Sequence, residues 1–452
     1  MDIDVGEISV SKISVSEISD IDNAEVFRKL KTTSAPHLKE ALLESDEYKY
    51  VNITYEINDV SALLELKRYS LIKKIKDDCK TYFNENKLDF DINNILPRWI
   101  MLQFNNKTHY IDPILPYNEC DNTQLKKDLY IFSNKTLSET KINKIIKDLN
   151  LTDAFNKSIE ELKVFIKTEF YKCNLFEPLF NVTHNDNFYT FTLYFLKKNI
   201  NKYFDFGIYI PPLGMGTFEQ NIKTPELLKI GEYKLHKNVF EKMFSKFSSN
   251  KIKNDNFIKL VLCIILRYNS LESYNQQLAI LPDLNKFLHR KYGIDFELFG
   301  SSINHFYSNY CSLFYDLEKY LGSKGNFNLL TIKNGFYVAN PPFDEEIMKN
   351  MANILIDTLK KSKDELSFFI TIPVWDNPEY GKFEAIEIIK KSPYLKHIEV
   401  IKKNRAKFFD YIKNKYINPC DIYIILLQNK KGSIVYPIKK DIDKILMHFF
   451  PQ

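Results

Sequence analysis

Residues 335–361 read GFYVA-NPPF-D-EEIMKNMANILIDTLKK, and three patterns follow one another there. Gly335–Ala339 is short, apolar and rich in residues that suit a strand buried on both faces. Asn340-Pro341-Pro342-Phe343 then stops it, because proline fixes φ, lacks an amide proton and restricts the residue before it. From Glu345 to Lys361 the apolar residues Ile347, Met348, Met351, Leu355 and Leu359 fall on one stripe, the pattern of an amphipathic helix. A strand, a proline turn and a helix in direct succession predict one unit of an α/β layered domain.

The same alternation extends on both sides. Short β-rich runs lie at 294–299 (IDFELF), 366–374 (LSFFITIPV), 397–402 (HIEVIK) and 421–428 (DIYIILLQ), several of them apolar on consecutive residues. Apolar helices are predicted at 258–268 and 283–292, and a largely parallel sheet follows from strands separated by helices. Upstream, residues 27–247 read as mostly helical. Residues 62–83 are an amphipathic helix, and 137–149 open with Ser138-Glu139-Thr140-Lys141, a capping-box-like start without its usual Glu. Residues 206–216 (FGIYIPPLGMG) read as a short strand ended by two prolines. Residues 1–25 form a low-complexity acidic stretch predicted to be flexible. The expected organisation is thus a leader at 1–25, a helical domain at 26–254 and the α/β domain at 255–452.

Composition bounds the function. Of the 452 residues 44% are apolar and 27% charged, enough for sizeable cores. No apolar run is long enough for a membrane helix, and the start lacks a signal-peptide pattern, so neither secretion nor a membrane partner is expected. The six cysteines have no paired spacing, so no structural metal or disulfide framework is expected. Seven acids and one lysine give residues 1–25 a net charge of −6, which leaves +11 of the total +5 on the rest. That basic body suits a polyanionic partner, or reflects only the abundance of lysine that an AT-rich genome encodes.

The proline turn carries the chemistry. An exocyclic adenine amine is a poor nucleophile because its lone pair is delocalised into the ring. Neutral acceptors on both of its N–H bonds move the nitrogen toward sp3 and free that lone pair. The Asn340 carbonyl and the Pro341 backbone carbonyl can supply them, Pro342 stiffens the loop, and Phe343 can stack on the extruded base. A methyl donor needs a second site. The run ending Glu297, Phe299, Gly300, Ser301, Ser302 and then Asn304 offers a small-residue turn, with a helix expected after Asn304. Asp316 or Glu318 could bind a ribose diol. Only about 40 residues separate this turn from Asn340, so the intervening strands must be abbreviated.

These motifs resemble the phosphorylated CTD-interacting factor family, the cap-specific adenosine-N6 methyltransferases. The resemblance runs from about Lys259 to Gln428. It is carried by Arg267-Tyr268, by Leu281-Pro282 with 288–292, by Glu297–Asn304 and by Tyr310-Cys311-Ser312 with Asp316, Glu318 and Gly322-Ser323. Ala339–Phe343 with Glu345-Glu346, and Ile372-Pro373-Val374-Trp375, complete it. It implies a Rossmann-like class I methyltransferase domain behind a mainly helical one, with S-adenosyl-L-methionine as donor. The implied acceptor is the 2′-O-methyladenosine beside the cap of an mRNA, so RNA is the expected partner. Asn340, Pro341, Pro342 and Phe343 would be catalytic, and Glu297, Phe299, Gly300, Ser301, Asn304 and Asp316 would hold the donor. Glu345 and Trp375 would line the acceptor or cap side.

Departures from the family pattern set further expectations. With only Trp99 and Trp375 in the chain, the amino-terminal WW module is expected to be absent, and with it binding to a phosphorylated polymerase tail. Val374 and Asp376 stand where the family has Glu and Arg, and residues 382–415, with ten basic and four acidic residues, align poorly. The residue usage points to a viral or protist member, acting inside the cell in the nucleus, the cytoplasm or a viral replication site. A DNA adenine methyltransferase and a catalytically silent RNA-binding subunit are the rival readings.

Overall fold

A computed structural model describes residues 28–29, 61–104, 112–166, 178–208, 227–248, 254–272, 277–375 and 383–449. The acidic leader, and the expected strand at 206–216 beyond its first three residues, lie outside them. Residues 206–208 form a turn and an irregular residue.

The first half opens with helix α1 (Ala62–Glu85), whose start is fixed by Ser61 accepting the Leu64 amide at 3.2 Å. Then come α2 (Ile92–Phe104), α3 (Thr123–Phe132), α4 (Glu139–Leu149) and α5 (Leu151–Phe165). Ser138 caps α4 through the Lys141 amide at 3.3 Å, without the reciprocal Glu of a full capping box.

The mostly helical reading of this half needs correcting. Strands β1 (Arg28–Lys29), β2 (Leu179–His184), β3 (Phe188–Leu196) and β4 (Leu227–His236) make an antiparallel sheet in that order. In β3, Tyr189, Phe191, Leu193 and Phe195 are buried on every second residue, the period of a strand. Its aromatic and Thr-rich composition suits a pleated surface better than a helix. Helices α6 (Ile200–Asp205) and α7 (Lys237–Ser248) flank β4 in the chain.

Helix α8 (Asn254–Ser270) joins the halves. Leu260 to Leu266 are all buried, and such a helix must be covered on every side. It lies in one apolar cluster with α1, α5 and α7, which also takes in Ile303, Phe314, Leu317 and Leu321 from beyond it. The core of the first half therefore runs past the expected boundary at 254.

The second half is a three-layer Rossmann-like α/β fold. Its strands are β6 (Phe296–Glu297), β7 (Asn309–Tyr310), β8 (Gly335–Ala339), β9 (Leu366–Pro373), β10 (Leu395–Ile401) and β13 (Ile422–Gln428). They lie in the order β10-β13-β9-β8-β6-β7. The pairings β9–β8, β8–β6 and β6–β7 are parallel, whereas β13 runs antiparallel to both β9 and β10. The sheet is thus mixed, because the last strand reverses to enter between its neighbours. Strands β6 and β7 are two residues each, the abbreviation that the short spacing predicts.

Alternate residues of the central strands feed two cores. Phe368, Ile370 and Ile372 meet Met348, Met351 and Leu355 of α11 (Glu345–Lys361). On the other face Phe369, Ile424 and Leu426 meet Leu284 and Leu288 of α9 (Pro282–Tyr292). The five apolar residues expected to form the stripe of α11 are all buried. A small antiparallel sheet of β5 (Leu278–Ala279), β11 (Phe408–Asp410) and β12 (Lys415–Ile417) lies beside the main one, and α10 (Tyr315–Glu318) is a single short turn. Among the described residues no helix is long and apolar enough to cross a membrane, and no cluster of His, Cys, Asp or Glu could hold a metal ion.

Candidate active site

The parallel register aligns the strand ends that matter. Glu297 of β6 pairs with Val338 of β8, and Ala339 pairs with Ile370 of β9. The turn after β6, the proline turn after β8 and Trp375 after β9 therefore emerge side by side at the carboxyl edge of the sheet, where open α/β folds bind ligands.

At the proline turn, the Thr371 hydroxyl of β9 donates to Asn340 Oδ1 at 2.8 Å. Thr371 is fully buried and Asn340 half-buried. An amide oxygen has two lone pairs, so this bond orients Asn340 and leaves one acceptor position. Pro341 is buried and Pro342 exposed. The Pro342 carbonyl accepts the Asp344 amide at 2.8 Å, closing the turn onto the helix. Asp344 is the N-cap of α11, with Oδ1 accepting the Ile347 amide at 3.0 Å. Phe343 stands edge-on to Trp375 at 6.4 Å and to Phe408 at 5.9 Å, and Trp375 in turn packs on Phe383 at 5.7 Å. Trp375 is 38% exposed, a large aromatic surface left in water. Glu345, in the first turn of α11, is half-buried.

The turn after β6 is built differently. Asn304 Oδ1 accepts the Ser301 amide at 2.8 Å and its hydroxyl at 3.0 Å, and Ser301 Oγ in turn accepts the Ile303 and Asn304 amides. The single Ser301 hydroxyl proton is shared with Gln277 Oε1, which lies at 2.6 Å. The helix expected after Asn304 does not form. The Phe306 and Tyr307 amides donate instead to Glu297 Oε1, at 2.6 and 3.1 Å, so they are withdrawn from any helical ladder. Glu297 is therefore turned inward, and burial pushes its carboxyl up to about 8. Lys242 of α7 is pressed into the same place: its Nζ donates to the carbonyls of Ile303 (3.3 Å) and His305 (2.5 Å) and lies over the Tyr411 ring. Burial lowers it to about 7. Phe299 and Gly300 are half-buried, and the Phe299 ring packs on Phe327 at 4.7 Å.

Neither ribose candidate is idle. Glu318 is fully buried, its Oε1 accepting the Ser302 amide at 2.5 Å and its Oε2 the Tyr268 hydroxyl at 3.1 Å. Asp316 takes two bonds from Arg267, at 3.3 and 3.1 Å. Arg267 also grips Glu65 of α1, Glu65 binds Arg68, and Arg68 binds Asp112. All five are buried. Burial opposes charge on Arg267, but Asp316 and Glu65 hold it firmly cationic.

Comparison with known proteins shows what this part of the chain is similar to. The family described as "Phosphorylated CTD interacting factor 1 WW domain" matches residues 237–411, from α7 to β11, which takes in every strand of the main sheet except β13. A protein of Homo sapiens named mRNA (2'-O-methyladenosine-N(6)-)-methyltransferase is 32% identical over 154 residues, which are 32% of this chain and 22% of that protein. Its namesake in Mus musculus is 35% identical over 130 residues, 27% of this chain and 18% of that protein. The chain thus matches about a fifth of the length of these relatives. The family match overturns two expectations together. The absence of the WW module is not upheld, and neither is the exclusion of polymerase-tail binding that rested on it. The matched residues begin only at 237 and include Trp375, so the scarcity of tryptophan does not exclude the module.

Several residues that shape the edge were not singled out from sequence: Thr371, Gln277, Lys242, Asp344 and, from the first half, Arg98. Asp344 alone carried a local signal, an Asp directly ahead of an amphipathic helix. The others act across long stretches of chain, 246 positions in the case of Arg98 and Asp344.

Proposed function

We propose that this chain transfers a methyl group from S-adenosyl-L-methionine to the N6 amine of an adenosine in RNA, with the adenosine beside an mRNA cap as its preferred acceptor. One observation carries the reading: three adjacent strands end together, so an oriented, half-buried amide acceptor lies one strand from a polar turn and one strand from an exposed tryptophan. The activity for which the relatives are named supports the reading, and it is their property that this reading extends to the chain.

The residues after β6 fit an adenosyl-bearing donor. Phe299 offers a half-buried apolar wall, and with Asn304 Oδ1 engaged by Ser301 the amide nitrogen keeps two donors. Glu297 and Asp316 belong to the same site as parts of its frame, with their carboxylates on internal partners. When bound, the donor supplies an electrophilic methyl on a sulfonium. The chain's own task is positioning. The free acceptor position of Asn340 and the carbonyl of Pro341 take the two N–H bonds of the amine. Phe343 meets the face of the extruded base, a contact worth about 1–3 kcal/mol. The rigid proline turn keeps the acceptors aimed without reorganisation during reaction. Trp375 offers an electron-rich face to a cationic methylated purine, and Glu345 in the first turn of α11 adds an acid on the acceptor side.

The direct test incubates the protein with labelled donor and, separately, a capped adenosine-first oligonucleotide, its uncapped counterpart and single-stranded DNA, each then digested to nucleosides. Label in N6-methyladenosine from the capped RNA is the expected result. Label in DNA alone would move the acceptor class, and donor binding without transfer to any of the three would leave a silent RNA-binding subunit. Trp375→Ala should lower turnover on capped RNA more than on uncapped RNA. Equal losses would make it a packing residue.

A further inference from the structure

The start of α11 is held from outside the sheet domain. Arg98, on α2, donates through Nε to Asp344 Oδ2 and through Nη1 to Asp128 Oδ1 of α3 at 2.7 Å. Asp128 and Asp344 are both buried, and Asp128 is steadied further by Gln124 at 2.8 Å. One residue along α3, Lys127 reaches Glu346 in the first turn of α11 at 2.5 Å. Two cations from two neighbouring helices thus fasten two acids that directly follow Asn340–Phe343. The arm is rigid: Trp99, next to Arg98, is buried, donates to Asn122 Oδ1 at 2.9 Å and packs on Phe155. Both Asp344 oxygens are in use, one capping α11 and one on Arg98, so the position of the cap and the position of Arg98 are a single variable. The Asp344 amide in turn holds the Pro342 carbonyl.

We propose that Arg98 is a positioning residue for methyl transfer. By fixing Asp344 against Asp128 it sets where the proline turn presents its two amine acceptors, with Lys127–Glu346 as a weaker second fastening. The inference rests on the reading above, and it assigns a role in that reaction to helices that lie outside residues 237–411. A partly buried charge pair suits this role because removing one partner leaves the other buried and uncompensated, so the loop would have to move to rehydrate it. A displacement of about 1 Å at the reacting groups can cost on the order of 100-fold in rate.

The test compares Arg98→Gln, Asp344→Asn and the double variant in the full chain. Asn is a good N-cap, so Asp344→Asn keeps the cap and removes only the charge that Arg98 grips. Each single variant should lower kcat on the capped oligonucleotide about 10- to 100-fold with donor affinity changed less than about threefold, and the double should be no worse than the poorer single. Without donor, amide exchange across residues 340–348 should quicken in both singles. The clamp is overturned if Arg98→Gln keeps wild-type kcat and exchange, if kcat and donor affinity fall together, or if the losses multiply in the double. Should Arg98→Gln fail to fold, unchanged kcat and exchange in Asp344→Asn overturn it alone. A wild type with no turnover on any adenine polymer overturns the reading above and this role with it. Normal wild-type turnover with indifferent variants overturns only the clamp.

Discussion

Two turns sit side by side at the carboxyl edge of the sheet and differ in how much of their bonding is internal. The turn after β6 is bonded largely within itself, Ser301, Asn304, Ser302, Glu297 and Glu318 bonding one another or nearby amides over a stretch of 22 residues, with Gln277, Tyr268 and Lys242 adding bonds from outside it. The turn after β8 makes few bonds of its own. Its Asn340 is oriented by Thr371, 31 positions on, and its Asp344 by Arg98, 246 positions back. The difference teaches that an abundance of polar side chains does not mean an abundance of free ones. At the first turn the acids are framework, satisfied internally as buried polar groups must be. At the second, a single amide is left with acceptor capacity and held from afar.

That contrast can be broken or sharpened in several ways. The largest effect is expected at the frame. Arg267→Met leaves Asp316 buried without its cation and Glu65 with Arg68 alone, and should cost about 3–5 kcal/mol of stability in denaturant unfolding. A change near zero would mean that Asp316 is free to face a ligand. Next is Asn340→Ala, which removes one of two amine acceptors and should reduce transfer about 100- to 1,000-fold, with the fold kept and stability lowered by about 1–3 kcal/mol for the stranded Thr371 hydroxyl. Normal turnover there would move the reactive place elsewhere.

Thr371→Val keeps the shape and removes one hydroxyl donor. With a hydrogen bond contributing about 1 kcal/mol, a roughly fivefold fall in kcat is expected, with little change in stability. No change in kcat would mean that Asn340 needs no orienting partner. The smallest effect is on pH dependence. Burial holds Glu297 up at about 8 against an ordinary 4.5, so the folded state takes up its proton more readily. The resulting stability is full below the unfolded value and is lost as pH rises toward the folded one. Lys242, lowered to about 7, adds an opposite slope above that pH. Glu297→Gln keeps an oxygen for the two amides and should flatten stability between about pH 5 and 7. An unchanged slope would place the titration elsewhere.

How much of this was legible beforehand depends on the range of the interaction. The strand and helix of residues 335–361 were readable because period and proline placement act within a few residues, and the whole stripe of α11 is buried as its spacing requires. The sheet at 179–236 was missed because a coarse helical reading of that half passed over the period-two burial of β3. The helix expected after Asn304 failed for another reason: Glu297 captures the amides that a helix would have used.

Residue types and their spacing therefore determined that a strand ends in Asn340-Pro341-Pro342-Phe343 and passes into a helix, and what chemistry such a turn can serve. Only the folded chain decided which polar groups are spent. Glu297, Asp316 and Glu318 look free in one dimension and have internal partners in three, whereas Arg98 and Thr371 look ordinary and bond directly to the proline turn and the cap that follows it. The physical reason is that capping and periodicity are short-range properties of a chain. Burial and charge pairing depend on neighbours that tertiary packing alone brings together.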